Sequence, residues 1–498
     1  MKKVFLLAAT IILAFSSATA QVDRNAFRQH QEQIREQYRQ QRDQARQQYN
    51  DARKKAEEEY AAFRKKANED YAAAMERAWQ RMGVLPAEPK PAEPAPPPPQ
   101  KPAPNRKFTT EPLPQSEIVL LPKPAPPLPA PPIPVPLPEE PKMDFAVYGS
   151  QCQVHTGFED LRFKLASVDE RGAAETWKTL SEKNYDALLH DCLSQRDEMH
   201  IGDWGYVRLI QAATEKLLGK GSNEAVLLQV YLLTQSGYRV RLAKAEGEFI
   251  LLVPFSRSVF GYLRIEIDGI YHYLITKKEL SSISVCNVGY PREQVANIQL
   301  DGLPLLKGKT QPKRTFTAAR FGTMKAEVGV NKCLIDFMND YPVSNAWDCY
   351  ALAGLSNEVK RDLYPALRSQ IEGKSKKKAA NMLLDFVQSA FDYATDQEQF
   401  GYERPLFGDE SFFYPQNDCE DRSILYSILV RDLLGLDVVL IDYPRHIATA
   451  VAFPEEVEGD YYTVDGRRFT VCDPTYEGAD IGEAMPQYKS VKAKIVKL

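Results

Sequence analysis

The chain has 498 residues, enough for two or three domains with separate cores. Its 63 basic and 67 acidic residues leave a formal net charge of -4, which excludes the broad positive field that draws a protein to nucleic acid or to an anionic membrane. Partner choice therefore rests on local features.

The basic start Met1-Lys2-Lys3 is followed by an apolar run from Val4 to Phe15 and by the small residues Ser16 to Ala20. This order predicts a secretory signal peptide over residues 1–20, cleaved after Ala20, and an exported protein, periplasmic or secreted to the cell surface. No cysteine follows the cleavage site, so a lipoprotein anchor is not expected. No later stretch reaches the ~18 apolar residues of a membrane helix, so no transmembrane anchor is expected either. Residues 21–85 are polar and helix-forming. Phe27, Tyr38, Tyr49, Tyr60, Tyr71 and Met82 recur at a constant step of eleven, and Ile34, Ala45, Ala56, Ala67 and Ala78 keep the same step. Eleven residues over three turns predicts a straight or slightly right-handed coiled coil. Two readings stay open: a solvated single helix carried by its charged faces, or a helix that self-associates or docks on a partner.

Residues 86–142 hold 23 of the chain's 35 prolines, a spacer with a reach of up to ~170 Å that cannot bury a core. Its apolar island Ile118-Val119-Leu120-Leu121 reads as a solvated linker segment rather than a strand added to a sheet edge. The remainder predicts two related α+β units in tandem, residues 143–305 and 306–498. In each a polar turn opens an apolar helix, a glycine stops it and β-rich runs follow: Gly221-Ser222-Asn223-Glu224-Ala225 in the first, Asn417-Asp418-Cys419-Glu420-Asp421 in the second.

Asp418 is a good N-cap for a helix that starts at Cys419 and stops at Gly435. A thiol in that first turn sits where unpaired amides and the helix dipole favour a thiolate and can hold an oxyanion. His446 opens a predicted strand, His446 to Phe453, whose alternation puts Ala448, Ala450 and Ala452 on the histidine's face, small enough for a helix to approach closely. Asp473 ends the run Phe469 to Cys472 and can orient the imidazole. Seven cysteines are present. Cys152 with Cys192, or Cys333 with Cys349, could form disulfides, with the pairing open. No C-x-x-C pair appears, and neither a metal nor another cofactor is expected.

The segments NDCEDRS, YPRHIATAV and FTVCDPT resemble the Cys, His and Asp motifs of the transglutaminase-like superfamily, and the stretch before the cysteine, DYATDQEQFGYERPLFGDESFFYPQ, is similar to the family's approach to it. The resemblance implies a papain-like core in residues 306–498, with Cys419 as nucleophile, His446 as general base and Asp473 as orienting acid. It also implies a degenerate copy in residues 143–305, with Asn223 in place of Cys419, the region around Glu246 in place of His446 and Thr276 near the place of Asp473. The chain departs from the family in carrying Asn417 two places before the cysteine and in having no tryptophan expected near the site, which leaves Gln416 as the candidate oxyanion donor. The activity implied is that of a cysteine peptidase, amidase or acyl transferase acting on a protein or peptide through a thioester. The alternative is a non-catalytic binding or scaffold protein built on the same module.

Overall fold

The structure is a computed structural model that describes residues 24–88, 101–102, 110–119, 139–158 and 160–498. The expected signal peptide, the side chains of Phe27 and Ile34 and most of the proline-rich spacer lie outside the described residues. The described residues up to Ala67 and those from Asn68 onward form separate units.

The first unit is helical. The Arg24–Met75 helix carries i,i+4 ion pairs such as Lys54–Glu58 at 3.9 Å and Lys55–Glu59 at 3.8 Å. Such pairs add a few tenths of a kcal/mol each to an otherwise solvated helix. Tyr38 and Tyr49 of the eleven-residue stripe are exposed.

The second unit begins with the end of this helix. Tyr71, Ala72 and Met75 are buried, and Tyr71 stacks on Trp177 with ring centroids 4.4 Å apart. Asn68 is buried beside them, and its Oδ1 accepts hydrogen bonds from Trp177 Nε1 at 3.1 Å, Gln235 Nε2 at 3.0 Å and the Tyr290 hydroxyl at 2.8 Å. The helix stops at Met75, short of the expected residue 85, and Trp79–Gly83 is a strand paired with Ser282–Cys286. An unpaired sheet edge offers those backbone groups a full ladder, which overrides the local helical repeat.

Two six-stranded sheets dominate this unit. In one the order is Trp79–Gly83, Ser282–Cys286, Arg241–Ala245, Glu248–Pro254, Ile270–Leu274, Arg264–Ile267. In the other it is Gln115–Val119, Ala493–Lys497, Val438–Tyr443, His446–Val451, Arg467–Cys472, Tyr461–Val464. The two orders correspond strand for strand, but the edge strand Trp79–Gly83 pairs antiparallel and Gln115–Val119 parallel, so the fold is mixed α+β with one five-stranded arrangement used twice. The linker island is therefore not solvated as expected. Gln115–Val119 pairs in parallel with Ala493–Lys497, and Leu113 just before it is buried; Leu120 and Leu121 lie outside the described residues. The apolar pair Ile118-Val119 meets an open edge whose own Ile495 and Val496 lie opposite, which is what a linker segment needs to become a strand.

Each sheet turns one face to a helix, Asn223–Gln235 on the first and Cys419–Leu434 on the second. These faces share one large apolar core, while each opposite face has a smaller core of its own. The Cys419–Leu434 helix is buried nearly all round rather than on a single face, and its Arg422 is anchored by donating to the carbonyls of Gln388 (3.0 Å) and Phe391 (2.8 Å). A helix enclosed in this way is fixed in its direction by packing on every side.

Strand register aligns the two halves residue by residue. Both hairpins close on a two-residue turn, with Tyr443 opposite His446 and Ala245 opposite Glu248. Ala450 pairs with Val471 as Leu252 pairs with Leu274. Glu248 thus holds the place of His446, two residues beyond the Glu246 expected, and Thr276 holds the place of Asp473.

Candidate functional site

Cys419 is the first residue of its helix. Asp418 and Asp421 form a capping box around that first turn, with Asp421 Oδ2 accepting from the Asp418 amide at 3.3 Å. The sulfur is buried and donates to Glu420 Oε2 at 3.1 Å. It also faces the backbone N–H of Ile447, the second residue of the His446 strand. The first half repeats this contact, for Asn223 Oδ1 accepts from the Phe249 amide at 2.7 Å. In both halves the side chain at the helix start pins the start of the same strand; asparagine does so with an amide where the second half carries a thiol.

His446 follows the turn Pro444-Arg445, in which Arg445 is left-handed at φ 64°. Its Nε2 lies 2.9 Å from Asp473 Oδ2, and both side chains are buried. Asp473 is held in turn: its Oδ1 accepts from the amides of Thr475 (3.0 Å) and Tyr476 (3.2 Å), and its backbone carbonyl accepts from Gln388 Nε2 at 3.0 Å. The imidazole stacks on Tyr488, centroids 4.8 Å apart, and Tyr488 stacks on Tyr443 at 4.7 Å. A carboxylate on one ring nitrogen and aromatic rings along its face fix both the plane of the imidazole and the nitrogen left over, Nδ1.

Cys419, His446 and Ile447 line one cleft of about 180 Å³. Asp473 reaches the cleft only through His446, and Gln416 is not among the residues that line it; the Gln416 carbonyl accepts from Gln399 Nε2 at 3.2 Å. Among the described residues the thiol bonds to Glu420 and not to the imidazole. Strand alternation explains the gap. Ala448, Ala450 and Ala452, which share the histidine's face, pack into the aromatic core with Tyr443 and Tyr488, whereas Ile447 and Val451 pack on the helix side. The small residues therefore receive tyrosines rather than the helix expected there. Thiol and imidazole approach the cleft from opposite faces, at the end of the strand.

The electrostatics also differ from expectation. A helix N-terminus favours a thiolate, yet burial and then the nearby Asp418 charge raise the Cys419 thiol well above its ordinary value, outweighing the Ile447 amide and the Glu420 hydrogen bond. All seven cysteines are free thiols, including Cys152, Cys192, Cys333 and Cys349, so the Cys419 sulfur is not consumed by a disulfide.

Several cleft residues escaped the sequence reading. Trp347 lines the cleft with Phe260 and Val343, which corrects the expectation of no tryptophan near the site: it is 72 positions before Cys419 and only packing brings it there. Asp396, Glu403, Asp418 and Glu420 line the cleft as well. Asp418 and Glu420 flank Cys419 in the sequence; Asp396 and Glu403 carry no signal there beyond lying in the stretch before the cysteine.

Compared with known protein families, with curated proteins and with solved structures, the chain matches none.

Proposed function

We propose that this protein is a thiol enzyme of transglutaminase-like, papain-type design that acts on amide or peptide bonds through a thioester, with Cys419 as nucleophile, His446 as base and Asp473 as its orienting partner. The observation that carries the reading is the 2.9 Å bond between His446 Nε2 and Asp473 Oδ2 in a site whose imidazole shares one cleft with a free thiol. The first step requires the Cys419 side chain to turn from Glu420 toward His446 Nδ1, the ring nitrogen that Asp473 leaves over. The thiolate then attacks the acyl carbon, and the imidazolium, steadied by Asp473, returns the proton to the departing amine. Water or a second amine takes the acyl group from sulfur. Amides at the start of the Cys419 helix suit the oxyanion, since the cap leaves part of that first turn free to donate. The basic and apolar start of the chain supports export as the setting.

The test is to trap the acyl-enzyme. Incubation with an activated acyl ester followed by intact mass and peptide mapping is expected to show a single acyl group on Cys419, absent in Cys419→Ala and slower to form in His446→Ala. No adduct at Cys419 in the wild-type protein rejects the reading.

A second reading, a non-catalytic binding or scaffold protein, is favoured by one observation: the thiol is held protonated against Glu420. It predicts that Cys419→Ala leaves the biological phenotype unchanged, while removal of residues 24–67, whose Tyr38 and Tyr49 are exposed for self-association or a partner, abolishes it.

A further inference from the structure

We propose that residues 35–67 of the Arg24–Met75 helix form a parallel two-stranded coiled coil with the same residues of a second copy of this chain. Tyr38, Tyr49 and Phe63 are 69%, 68% and 70% exposed on this helix, an apolar load from which a helix alone in water gains nothing. Eleven residues make close to three turns, so Tyr38, Tyr49 and Tyr60 fall on one line along the helix, with Ala45, Ala56 and Ala67 on the line beside it. Gln41, Ala52 and Phe63 form the third line, on the far side of the alanines. The three lines make a straight seam roughly 45 Å long, in which aromatic knobs flank small residues that let a second backbone approach. The Lys54–Glu58 ion pair that supports the helix in water lies on the opposite face.

Where the seam continues beyond these residues it is a packing face. Tyr71, the next member of the tyrosine line, is buried and stacks on Trp177. One line of the helix thus carries the same residue covered at Tyr71 and uncovered at Tyr38 and Tyr49.

The charges beside the seam select the occupant and its direction. Arg42, Arg53 and Arg64 stand on one flank, and Gln37, Gln48 and Glu59 on the other. Parallel helices in register set the first flank of each copy against the second flank of the other, so each arginine meets a glutamine or the glutamate five residues before it in the second copy. Antiparallel helices set like flanks together, and the three arginines of one copy then face those of the other, which repels. Glu59 meets Lys55 of its own helix at 3.8 Å, a distance that leaves it able to take an arginine as well. The proposal rests on the helix alone and stands whether or not Cys419 is a nucleophile.

Sedimentation velocity of the full chain, followed to tens of micromolar, tests it. The wild type is expected to sediment at twice the mass of the chain. Tyr49→Asp is expected to weaken dimerisation by at least about tenfold, because it places a charge in the seam. The seam lies in the first unit, so this variant is expected to leave the denaturant unfolding of residues 68–498 unchanged, which separates loss of the dimer from loss of the fold. E59R and R64E are each expected to weaken the dimer too, and a mixture of the two to restore it with one copy of each, since opposite charges then meet on both flanks. Should Tyr49→Asp lose its helix, that mixture decides the matter. Gln41→Cys and Ala52→Cys, each oxidised with diamide, are both expected to give disulfide-linked pairs; an antiparallel seam can bring at most one of these positions to its own copy. A wild type at the mass of one chain throughout overturns the proposal in favour of a solvated single helix. A dimer that survives Tyr49→Asp overturns it in favour of another surface, and a cross-link at only one cysteine or at neither overturns the parallel arrangement.

Discussion

His446 Nε2 meets Asp473 Oδ2 at 2.9 Å, and the same carboxylate takes two backbone amides on its other oxygen. The imidazole therefore receives an acceptor that cannot turn away, and its proton-bearing nitrogen is set by the loop from Asp473 to Tyr476. Asp473→Asn keeps the shape and offers the ring a carbonyl or an amide instead of a charge. The acylation rate measured with an activated ester is expected to fall by roughly 10³–10⁴, the scale seen when a triad acid is neutralised. A fall of less than about tenfold detaches Asp473 from the chemistry.

The Cys419 thiol is raised by burial first and by Asp418 second. Alkylation of Cys419 by iodoacetamide is expected to rise with pH around a midpoint above the ~8.5 of an unfolded cysteine, and Asp418→Asn is expected to move that midpoint down. An unchanged midpoint in the variant removes Asp418 from the account.

Asp409 is buried and accepts from the Ser356 amide at 2.8 Å, yet its carboxyl is pushed up to about 6 by burial. The folded state then holds a proton that the unfolded state has released. Stability from this group is full below the unfolded value of 3.8 and is lost as pH rises through about 6. Asp409→Asn removes that dependence and keeps the acceptor for Ser356. Urea unfolding at pH 7 is expected to show the variant more stable than wild type by up to about 3 kcal/mol, with the advantage shrinking toward pH 4. An advantage that grows on acidification has the wrong sign.

Asn68 gathers donors from Trp177, Gln235 and Tyr290 on one buried oxygen. Asn68→Ala strands them and is expected to cost about 1–3 kcal/mol in denaturant unfolding, whereas the exposed Tyr49→Ala is expected to cost close to nothing. Similar losses for both variants contradict the anchoring role of Asn68.

Gln115–Val119 closes the edge of the second sheet against Ala493–Lys497. Deleting residues 110–119 uncovers that edge. Light scattering is expected to show aggregation at concentrations where the full chain stays clear. A deletion variant as soluble as the full chain makes the strand dispensable.

Local chemistry made part of this protein readable from its residues. The Asp418 cap, the Gly435 stop and the apolar run between them specify a helix that begins at Cys419, because capping and hydrophobic burial act within a few residues. The two-residue turn before His446 likewise specifies the hairpin that places it at a strand's first position. The repeated order of helix, turn and strand pointed to two similar halves, although register moved the counterpart of His446 from Glu246 to Glu248.

What only the tertiary structure decided depends on contacts between distant residues. Trp79–Gly83 and Gln115–Val119 are strands because sheet edges more than 190 residues further along the chain offer them partners, and no local propensity records that. Trp347 and Glu403 reach the Cys419 cleft only through packing. The state of the thiol is a tertiary property as well: the helix dipole acts along the sequence, but burial and the charge of Asp418 act through space, and in this low-dielectric cleft they outweigh it.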